Sequence, residues 1–168
     1  DAVDASGNGH DGVIHNEATP VEDRLGQADS ALEFDGSNYI EVPFSADLNP
    51  VEFSFSIWVK PTTLDTIHGS PITSRDDSPQ KGFILYKDPD NQWAGWTGQA
   101  TGWHQVPGLT AIADTWEHLV VTYGSGKLSL YSDGVPIASQ DGGYTPNSAQ
   151  PLRIGAGVTE SAATFHFK

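Results

Sequence analysis

The sequence lacks cysteine and methionine altogether, and it has few basic residues. Without cysteine, disulfide bonds and thiolate metal sites are excluded, and the chain does not fit the small disulfide-rich class of secreted domains. Only 8 Lys and Arg residues stand against 22 Asp and Glu residues, so the formal net charge is −14. Because nucleic-acid phosphates require a basic surface, this balance argues against nucleic acid as a partner.

Long apolar runs are missing too. No run approaches the ~20 residues that a membrane-spanning helix needs, so no membrane insertion is expected. The chain begins with Asp1 rather than Met and shows no signal-peptide pattern. We therefore expect a processed, excised or cropped chain. The lack of cysteine fits bacterial export, in agreement with a secreted or cell-surface protein.

A helical apolar period is also absent, whereas alternation with a period of two recurs along the whole chain. In "EFSFSIWVK" (52–60), Phe53, Phe55, Ile57 and Val59 share one face of a predicted strand, with polar residues and Trp58 on the other. The 18 glycines and 11 prolines suit the many turns that short strands require. These features favour an all-β domain that occupies residues 1–168.

Eleven segments are predicted as strands: 31–36, 39–42, 52–60, 71–75, 82–87, 92–96, 116–123, 127–132, 135–139, 151–155 and 164–168. Asp133-Gly134 between two of them is a tight-hairpin signal, because the primed turn needs positive φ at both positions. The number and spacing of the strands predict an antiparallel β-sandwich of two packed sheets, that is, a jelly roll.

Several motifs resemble one family, in the same order along the chain. The longest is "TWEHLVVTYGSGKLSLYSDGVPIAS" (115–139), and the others are "DASGNGHDG" (4–12), "ALEFDGSNYIEVP" (31–43), "FSFSIWVKP" (53–61) and "PLRIGAG" (151–157). Together they resemble the laminin-G-like, pentraxin-related jelly rolls of the concanavalin A-like superfamily. That resemblance implies an antiparallel sandwich; because some relatives on this fold are glycoside hydrolases or polysaccharide lyases, a catalytic role has to be considered as well as a binding role.

The resemblance also implies two strands that this chain does not show. Such domains usually begin with an aromatic strand and close with a strand of the type "G-x-I-D-E-V", and neither pattern is present. We expect the sandwich to lack its usual first and last strands within this chain. An unpaired sheet edge invites a strand from another chain, so strand exchange or homo-oligomer formation is a second hypothesis.

Catalysis is not indicated by the residues. A retaining glycosidase needs two carboxyl groups about 5 Å apart, but Glu33 and Asp35 flank a turn, and Glu117 lies alone on its strand. Asp76 and Asp77 fall in "SRDDSPQKG", which we interpret as a loop. No arrangement of a Tyr and His with an Arg, as a polysaccharide lyase would require, is evident either. The chain is therefore predicted not to be an enzyme.

Calcium is the cofactor that the glycine-rich loops suggest, because Ca²⁺ is bound by carboxylate and carbonyl oxygens. The candidate ligands are Asp4, Asn8 and Asp11 in "DASGNGHDG" and Asp35 and Asn38 in "FDGSN". The resemblance implies one structural calcium ion near these loops, and it adds Glu160 as a weaker candidate for ligand binding. The alternative is that Asp4 and Asn8 form Asx-turns with nearby backbone N–H groups.

Aromatic residues suggest where a ligand binds. Flat rings stack on sugars while neighbouring polar groups form hydrogen bonds, so we predict ligand binding by Trp93, Trp96, Trp103, His104, Trp58 and His118. Because Trp93 and Trp96 differ in parity on one strand, only one of them can face the core. The alternative is that these residues pack the core or anchor loops.

Overall, the sequence favours a non-catalytic extracellular module that binds a glycan or an extracellular protein, or mediates adhesion, with structural calcium. A structural subunit of a homopolymeric assembly is the alternative. A glycoside hydrolase or polysaccharide lyase ranks third.

Overall fold

The computed structural model of the chain describes residues 2–159 and 162–168, and it confirms the antiparallel β-sandwich. Seven strands form the large sheet, in the spatial order β1 (Val13–His15), β4 (Tyr39–Val42), β13 (Leu152–Ile154), β6 (Gly69–Asp77), β7 (Gln80–Lys87), β8 (Gln92–Gln99) and β9 (Trp103–Thr110). Four strands form the small sheet, in the order β12 (Val135–Asp141), β11 (Lys127–Ser132), β10 (Glu117–Gly124) and β5 (Phe53–Val59).

Two short hairpins complete the described chain. They pair β2 (Thr19–Val21) with β3 (Ala31–Glu33), and β14 (Gly157–Thr159) with β15 (Ala162–Thr164). The helical structure in the described residues is the short 3₁₀-helix Ala46–Leu48, and no helix there has the length and apolar character to cross a membrane.

The core lies between the two sheets, and the alternation of the sequence builds it. It contains Val59, Leu85, Trp93, Val106, Leu119, Val121, Leu128 and Leu130, all at most 3% exposed. Their neighbours along each strand point to the outer faces. On the small sheet, Trp58 and His118 are therefore directed away from the core, as their parity predicts.

The two hairpins of the small sheet form as predicted. Ser125 and Gly126 connect β10 to β11, and Asp133 and Gly134 connect β11 to β12. All four residues have positive φ, between 49° and 79°. This is the geometry of a primed turn, whose twist matches that of the strands on either side.

The sequence did not predict every element. Strand β9 was missed because Pro107 and Gly108 interrupt its pattern, but β9 is the edge strand of the large sheet, where a proline can be tolerated. Strands β1, β2, β14 and β15, each of three residues, are too short to show alternation.

Two predicted boundaries were wrong. Strand β6 continues to Asp77, so Asp76 and Asp77 lie on a strand rather than in a loop. The predicted strand 164–168 keeps only Thr164, because Phe165 has a φ of 52° and breaks the extended backbone.

Candidate functional site

A cluster of aromatic and charged side chains covers part of the outer face of the large sheet. Because Leu85, Trp93 and Val106 face the core, Tyr86 on β7 and Trp96 on β8 point to the opposite side. We call this cluster the aromatic face; its members are His68, Arg75, Tyr86, Trp96, Trp103 and Phe165. It combines rings from three neighbouring strands with one guanidinium group.

Arg75 and Trp103 meet across the sheet because no side chain separates them. The register places Arg75 opposite Gly82, Gly82 opposite Gly98, and Gly98 opposite Trp103. The guanidinium carbon of Arg75 lies 5.2 Å from the centre of the Trp103 ring, within the range of a cation–π contact. Because Gly82 and Gly98 have no side chains, the Arg75 side chain on β6 extends across β7 and β8 to Trp103 on β9.

Rings pack closely around Tyr86. Its ring centre lies 4.7 Å from that of His68, 5.8 Å from that of Phe165 and 6.1 Å from that of Trp96. Arg75 donates from Nη1 to the Tyr86 hydroxyl over 3.0 Å, and its Nη2 pairs with Asp77. Tyr86 and Arg75 are 5% and 7% exposed, so they form the base of the cluster, while Trp96 and Trp103 are half-buried at its surface.

Burial shapes the protonation of this cluster. It raises the pKa of the Tyr86 hydroxyl, although the nearby Arg75 cation acts in the opposite direction. It lowers the pKa of His68, which favours the neutral imidazole. Arg75 forms an ion pair with Asp77 beside these rings.

Two donors at the aromatic face have no acceptor in the described part of the chain. Both the indole Nε1 of Trp96 and the Nε of Arg75 are buried and make no hydrogen bond. Buried donors usually have a partner, so these two atoms are exceptions within the cluster, and an acceptor could reach them only if neighbouring side chains moved. Farther along the same face, Arg153 Nη1 and His166 Nδ1 are in the same situation.

The structure separates the six predicted ligand-binding residues. Trp96 and Trp103 lie on the aromatic face. Trp93 does not, because it is 0% exposed in the core and donates from Nε1 to Glu117 Oε2 over 3.0 Å. The expectation that Trp93 contacts a ligand is therefore corrected: its parity assigns it to the core, and Trp96 takes the outward position.

Trp58 and His118 lie together on the opposite side of the molecule. Their rings stack at 4.8 Å on the outer face of the small sheet, and Trp58 is 42% exposed. His104 lies neither on the aromatic face nor on the outer face of the small sheet. Its register partner Thr97 donates from its hydroxyl to Gly143, so His104 faces the interior beneath residues 142–143.

The predicted calcium ligands of the N-terminal loop are engaged in closing that loop. Asp4 accepts backbone hydrogen bonds from Ser6 and His10 at 2.8 and 3.0 Å, and Asp11 accepts one from the backbone of Asp4 at 2.7 Å. The hydrogen bonds from Ser6 and His10 hold the pKa of the Asp4 carboxyl at about 2. The backbone N–H and the side-chain Nδ2 of Asn8 donate to the Ser6 hydroxyl oxygen over 3.3 and 3.0 Å.

Asp35 and Asn38 also form hydrogen bonds within their own loop. Asp35 Oδ1 accepts from the backbone and hydroxyl of Ser37, and Asn38 Oδ1 accepts from the backbone of Asp35 at 2.9 Å. Glu160 lies outside the described residues. Among the residues that are described, no three His, Cys, Asp or Glu side chains come together as a metal site would require. Asp4 matches the Asx-turn alternative, whereas the side chain of Asn8 bonds the Ser6 hydroxyl rather than a backbone N–H group, and calcium binding stays a prediction.

Asp76, Asp77 and Glu117, three carboxyl groups considered for catalysis, lie apart from one another. Asp76 and Asp77 are neighbours on β6, so their side chains point to opposite faces. Asp76 contacts Ser148, while Asp77 pairs with Arg75. Glu117 is 3% exposed in the core, where burial raises its pKa. None of these three carboxylates faces another across a cleft.

The structure does bring together a tyrosine, a histidine and an arginine, which the sequence did not indicate. Tyr86 lies between Arg75 and His68, but a base would require an accessible phenolate, and burial makes this hydroxyl harder to ionise. His68 and Phe165 had not been predicted as site residues. His68 lies outside the predicted strands, and Phe165 lies in the predicted strand 164–168, whose extended backbone it breaks, so no local signal places either ring beside Tyr86.

Comparisons with known proteins agree with this architecture. A family model for laminin-G-like domains of the concanavalin A-like lectin/glucanases superfamily matches residues 34–168. No curated protein sequence matches the chain significantly.

Solved structures share the fold at low sequence identity. Domain 4 of the extracellular arabinanase AbnA from Geobacillus stearothermophilus, in complex with arabinotriose, has a TM-score of 0.72 and 22% identity, covering 100% of this chain and 82% of that one. The sialidase module CBM40 of Ruminococcus gnavus, bound to α2,3-sialyllactose, has a TM-score of 0.63 and 11% identity, with coverages of 76% and 83%. The LG4-5 domains of mouse laminin α1 have a TM-score of 0.55 and 15% identity, with coverages of 80% and 37%.

Proposed function

Since the chain belongs to the concanavalin A-like lectin/glucanases superfamily, we propose that it is a non-catalytic carbohydrate-binding module of an extracellular protein and binds an oligosaccharide at the aromatic face. Two structural neighbours with known ligands, the arabinanase domain and the sialidase module, were solved with arabinotriose and sialyllactose. Their similarity concerns the fold, so the site must be argued from this chain's own residues.

The observation that carries the proposal is the position of two half-buried indoles side by side on the outer face of the large sheet. Trp96 lies opposite Gln105 and Trp103 lies opposite Gly98, so the two indoles are diagonal neighbours on adjacent strands. Rings at this spacing can pack against the C–H faces of a sugar chain. Gln105 shares the same outer face, where its amide can form hydrogen bonds with sugar oxygens.

A binding role suits the rigidity of the cluster. Arg75 is fixed by Tyr86 and Asp77, and Tyr86 is enclosed by rings, so little side-chain freedom remains to be lost when a ligand binds. The acidic surface, with a net charge of −14, favours neutral sugars over strongly anionic ones except where Arg75 acts locally. The proposed role of the aromatic face is binding, without a catalytic step.

Substitution of the two indoles tests the site. We expect Trp96→Ala and Trp103→Ala each to weaken oligosaccharide binding by about tenfold or more, since each removes a central aromatic contact. Binding is first screened on a glycan array that includes arabinotriose and α2,3-sialyllactose. Affinities for the best ligand are then measured by isothermal titration calorimetry, with and without EDTA, so that the calcium prediction is tested in the same series.

The matched control is Trp58→Ala, which removes an exposed indole from the small sheet. This variant should bind as the parent chain does. If Trp58→Ala loses binding while Trp96→Ala binds fully, the ligand binds the small sheet, and the proposal is contradicted. Failure of every glycan on the array to bind the folded chain would refute carbohydrate binding itself.

A further inference from the structure

Lys87 is a buried lysine at the end of β7, and it is only 3% exposed. Its register partner on β8 is Trp93, which belongs to the core, so the Lys87 side chain points to the inner side of the large sheet. An ammonium group removed from water is stable only where oxygen atoms replace its hydration shell. The protein must therefore supply oxygens at this position.

Four oxygen atoms surround the Lys87 ammonium group. Nζ donates to the carbonyl oxygen and Oδ1 of Asp65 over 3.0 and 2.9 Å. It also donates to the Ile67 carbonyl and to Asn91 Oδ1, each over 3.1 Å. We call these acceptors on Asp65, Ile67 and Asn91 the oxygen cage. Carboxylate, amide and backbone oxygens are also the ligands of a bound metal ion, so the ammonium group occupies the cage as a structural cation does.

The oxygen cage connects the segment that leads into β6 with the end of β7. Asp65 and Ile67 both lie in the segment between β5 and β6. Asp65 Oδ1 also accepts from the Ile67 N–H over 3.3 Å, which closes the segment around the ammonium group. Burial acts to raise the pKa of the Asp65 carboxyl, but the hydrogen bond from Lys87 and its charge lower it overall. Lys87 therefore stabilises this segment by charge as well as by hydrogen bonds.

The next residue after the cage is His68, and Lys87 holds the residues on both sides of it. On one side, the Ile67 carbonyl accepts from Nζ. On the other side, Gly69 is the register partner of Lys87 at the start of β6. His68 itself is half-buried, and its ring centre lies 4.7 Å from that of Tyr86. The location of this imidazole on the aromatic face thus follows from the contacts of Lys87.

We propose that Lys87 is a positioning residue of the aromatic face: as a built-in cation in the oxygen cage, it holds residues 65–68 so that His68 lies beside Tyr86 and contacts a bound sugar. A neutral imidazole has one donor and one acceptor nitrogen, so it can form hydrogen bonds with sugar hydroxyls. The sugar contact rests on the proposed function, whereas the position of His68 can be measured without any ligand.

The first test removes the lysine side chain and then restores its ammonium group. Lys87→Ala lacks the atoms that a propylammonium ion contains. We expect this variant to lower the melting temperature by about 5 °C or more, because the cage loses its donor. Propylammonium should raise the melting temperature of the variant but not that of the parent chain. Tetramethylammonium, which has the charge but no N–H donor, should not do so.

The matched control is Lys127→Ala, which removes an exposed ion pair with Asp141 on the small sheet. Its melting temperature should respond to neither ion. If propylammonium fails to stabilise Lys87→Ala, or stabilises Lys127→Ala equally, the cage does not act as a cation site and the proposal is overturned.

Histidine NMR provides a readout that a purely stabilising role would not change. The His68 ring lies close to Tyr86, so its ring protons carry a ring-current shift. In Lys87→Ala these signals should move toward those of an exposed histidine, and propylammonium should restore them. The signals of His118, which stacks on Trp58 on the small sheet, should stay in place. Unmoved His68 signals in a destabilised Lys87→Ala would overturn the positioning role.

A milder variant keeps the question testable if Lys87→Ala does not fold. Asp65→Ala removes the carboxylate from the cage but leaves the two backbone carbonyls and Asn91 around Nζ. It should move the His68 signals in the same direction by a smaller amount. Unmoved His68 signals in folded Asp65→Ala would likewise contradict the proposal.

A double-mutant cycle connects Lys87 to the sugar. For the best array ligand, His68→Ala and Lys87→Ala should each weaken binding by about fivefold, the loss expected for one hydrogen bond. Because Lys87 acts through His68, the double variant should bind as His68→Ala does. Additive losses, or unchanged affinity in His68→Ala, would overturn the proposal. If no glycan binds the parent chain, the sugar contact fails with the proposed function, and NMR alone decides whether Lys87 positions His68.

Discussion

At the residue scale, the contact between Trp93 and Glu117 shows why a carboxyl group lies buried in the core beside a tryptophan. Glu117 Oε2 accepts from Trp93 Nε1 at 3.0 Å and from the Ile112 backbone at 3.2 Å. Burial raises the pKa of Glu117, because the charged form loses its hydration. The core therefore retains a carboxylate in order to satisfy an indole that would otherwise be an unpaired donor.

Replacement of Glu117 by Gln should change the pH dependence of stability. A raised pKa means that the folded state binds the proton more tightly, so the parent chain loses stability as the pH rises from about 4.5, the ordinary Glu value, through the raised value. Glu117→Gln does not titrate, yet its amide oxygen can still accept both hydrogen bonds. Relative to the parent, its free energy of unfolding should therefore increase from acidic to neutral pH, as measured by urea denaturation at several pH values.

The matched variant is Glu117→Ala, which leaves Trp93 Nε1 and the Ile112 N–H without an acceptor. Relative to Glu117→Gln, which does not titrate at this position either, it should cost about 1–3 kcal/mol at every pH, because an unsatisfied buried donor keeps its desolvation penalty. If the parent and Glu117→Gln show parallel stability curves across this pH range, Glu117 is not the buried titrating group described here.

Sequence parity correctly predicted that only one of Trp93 and Trp96 faces the core, but not which one. The Arg75–Trp103 contact could not be predicted, because it depends on the register of four strands that places Gly82 and Gly98 in one row. The local sequence pattern predicts to which face of a strand a side chain points, whereas the pairing of strands across the sheet determines which side chains lie next to it.

At the element scale, the tight hairpins organise the small sheet. The β11–β12 turn is also tied to β10, since the Asp133 N–H donates to the His118 carbonyl and the His118 N–H donates to Asp133 Oδ1. The turn therefore holds three strands in register. Its sequence, Asp-Gly, is one of the few that tolerates positive φ at both central positions.

We expect Gly134→Ala to destabilise the protein by about 1 kcal/mol, the usual cost of a side chain in the left-handed region. Gly134 has a φ of 79° and nothing within 4 Å of an added Cβ atom, so conformational strain is the sole cost. Gly102→Ala is the control, since it has equally open space and no positive φ. Equal unfolding free energies for the two variants in chemical denaturation would show that the turn geometry is not strained by a side chain.

Elements whose residues alternate cleanly were predicted with nearly correct bounds, as β4 and β11 show. The prediction of strands failed where contacts with distant parts of the fold determine the backbone conformation. Strand β9 forms despite Pro107 because it has a neighbour on one side only, and Phe165 leaves the extended backbone to pack against Tyr86 and His68. These outcomes depend on contacts with distant elements, which no local window of sequence contains.

At the scale of the whole molecule, the sandwich presents two different surfaces on its two sheets. The large sheet offers the aromatic face, where two neighbouring indoles suit a sugar. The small sheet offers the stacked rings of Trp58 and His118 on its outer face. The number and spacing of the predicted strands indicated the sandwich, but which side chains each sheet presents together depends on the order of the strands, which the sequence does not show.

The central claim is that a sugar binds the large sheet at Trp96 and Trp103, and indole NMR tests it most directly. The chain has five tryptophans and therefore five indole N–H signals, which Trp→Phe variants assign. During titration of ¹⁵N-labelled protein with the best array ligand, the signals of Trp96 and Trp103 should shift, while that of Trp93, bonded to Glu117, stays in place. Shifts confined to Trp58 and Trp116, with Trp96 and Trp103 unmoved, would contradict the account.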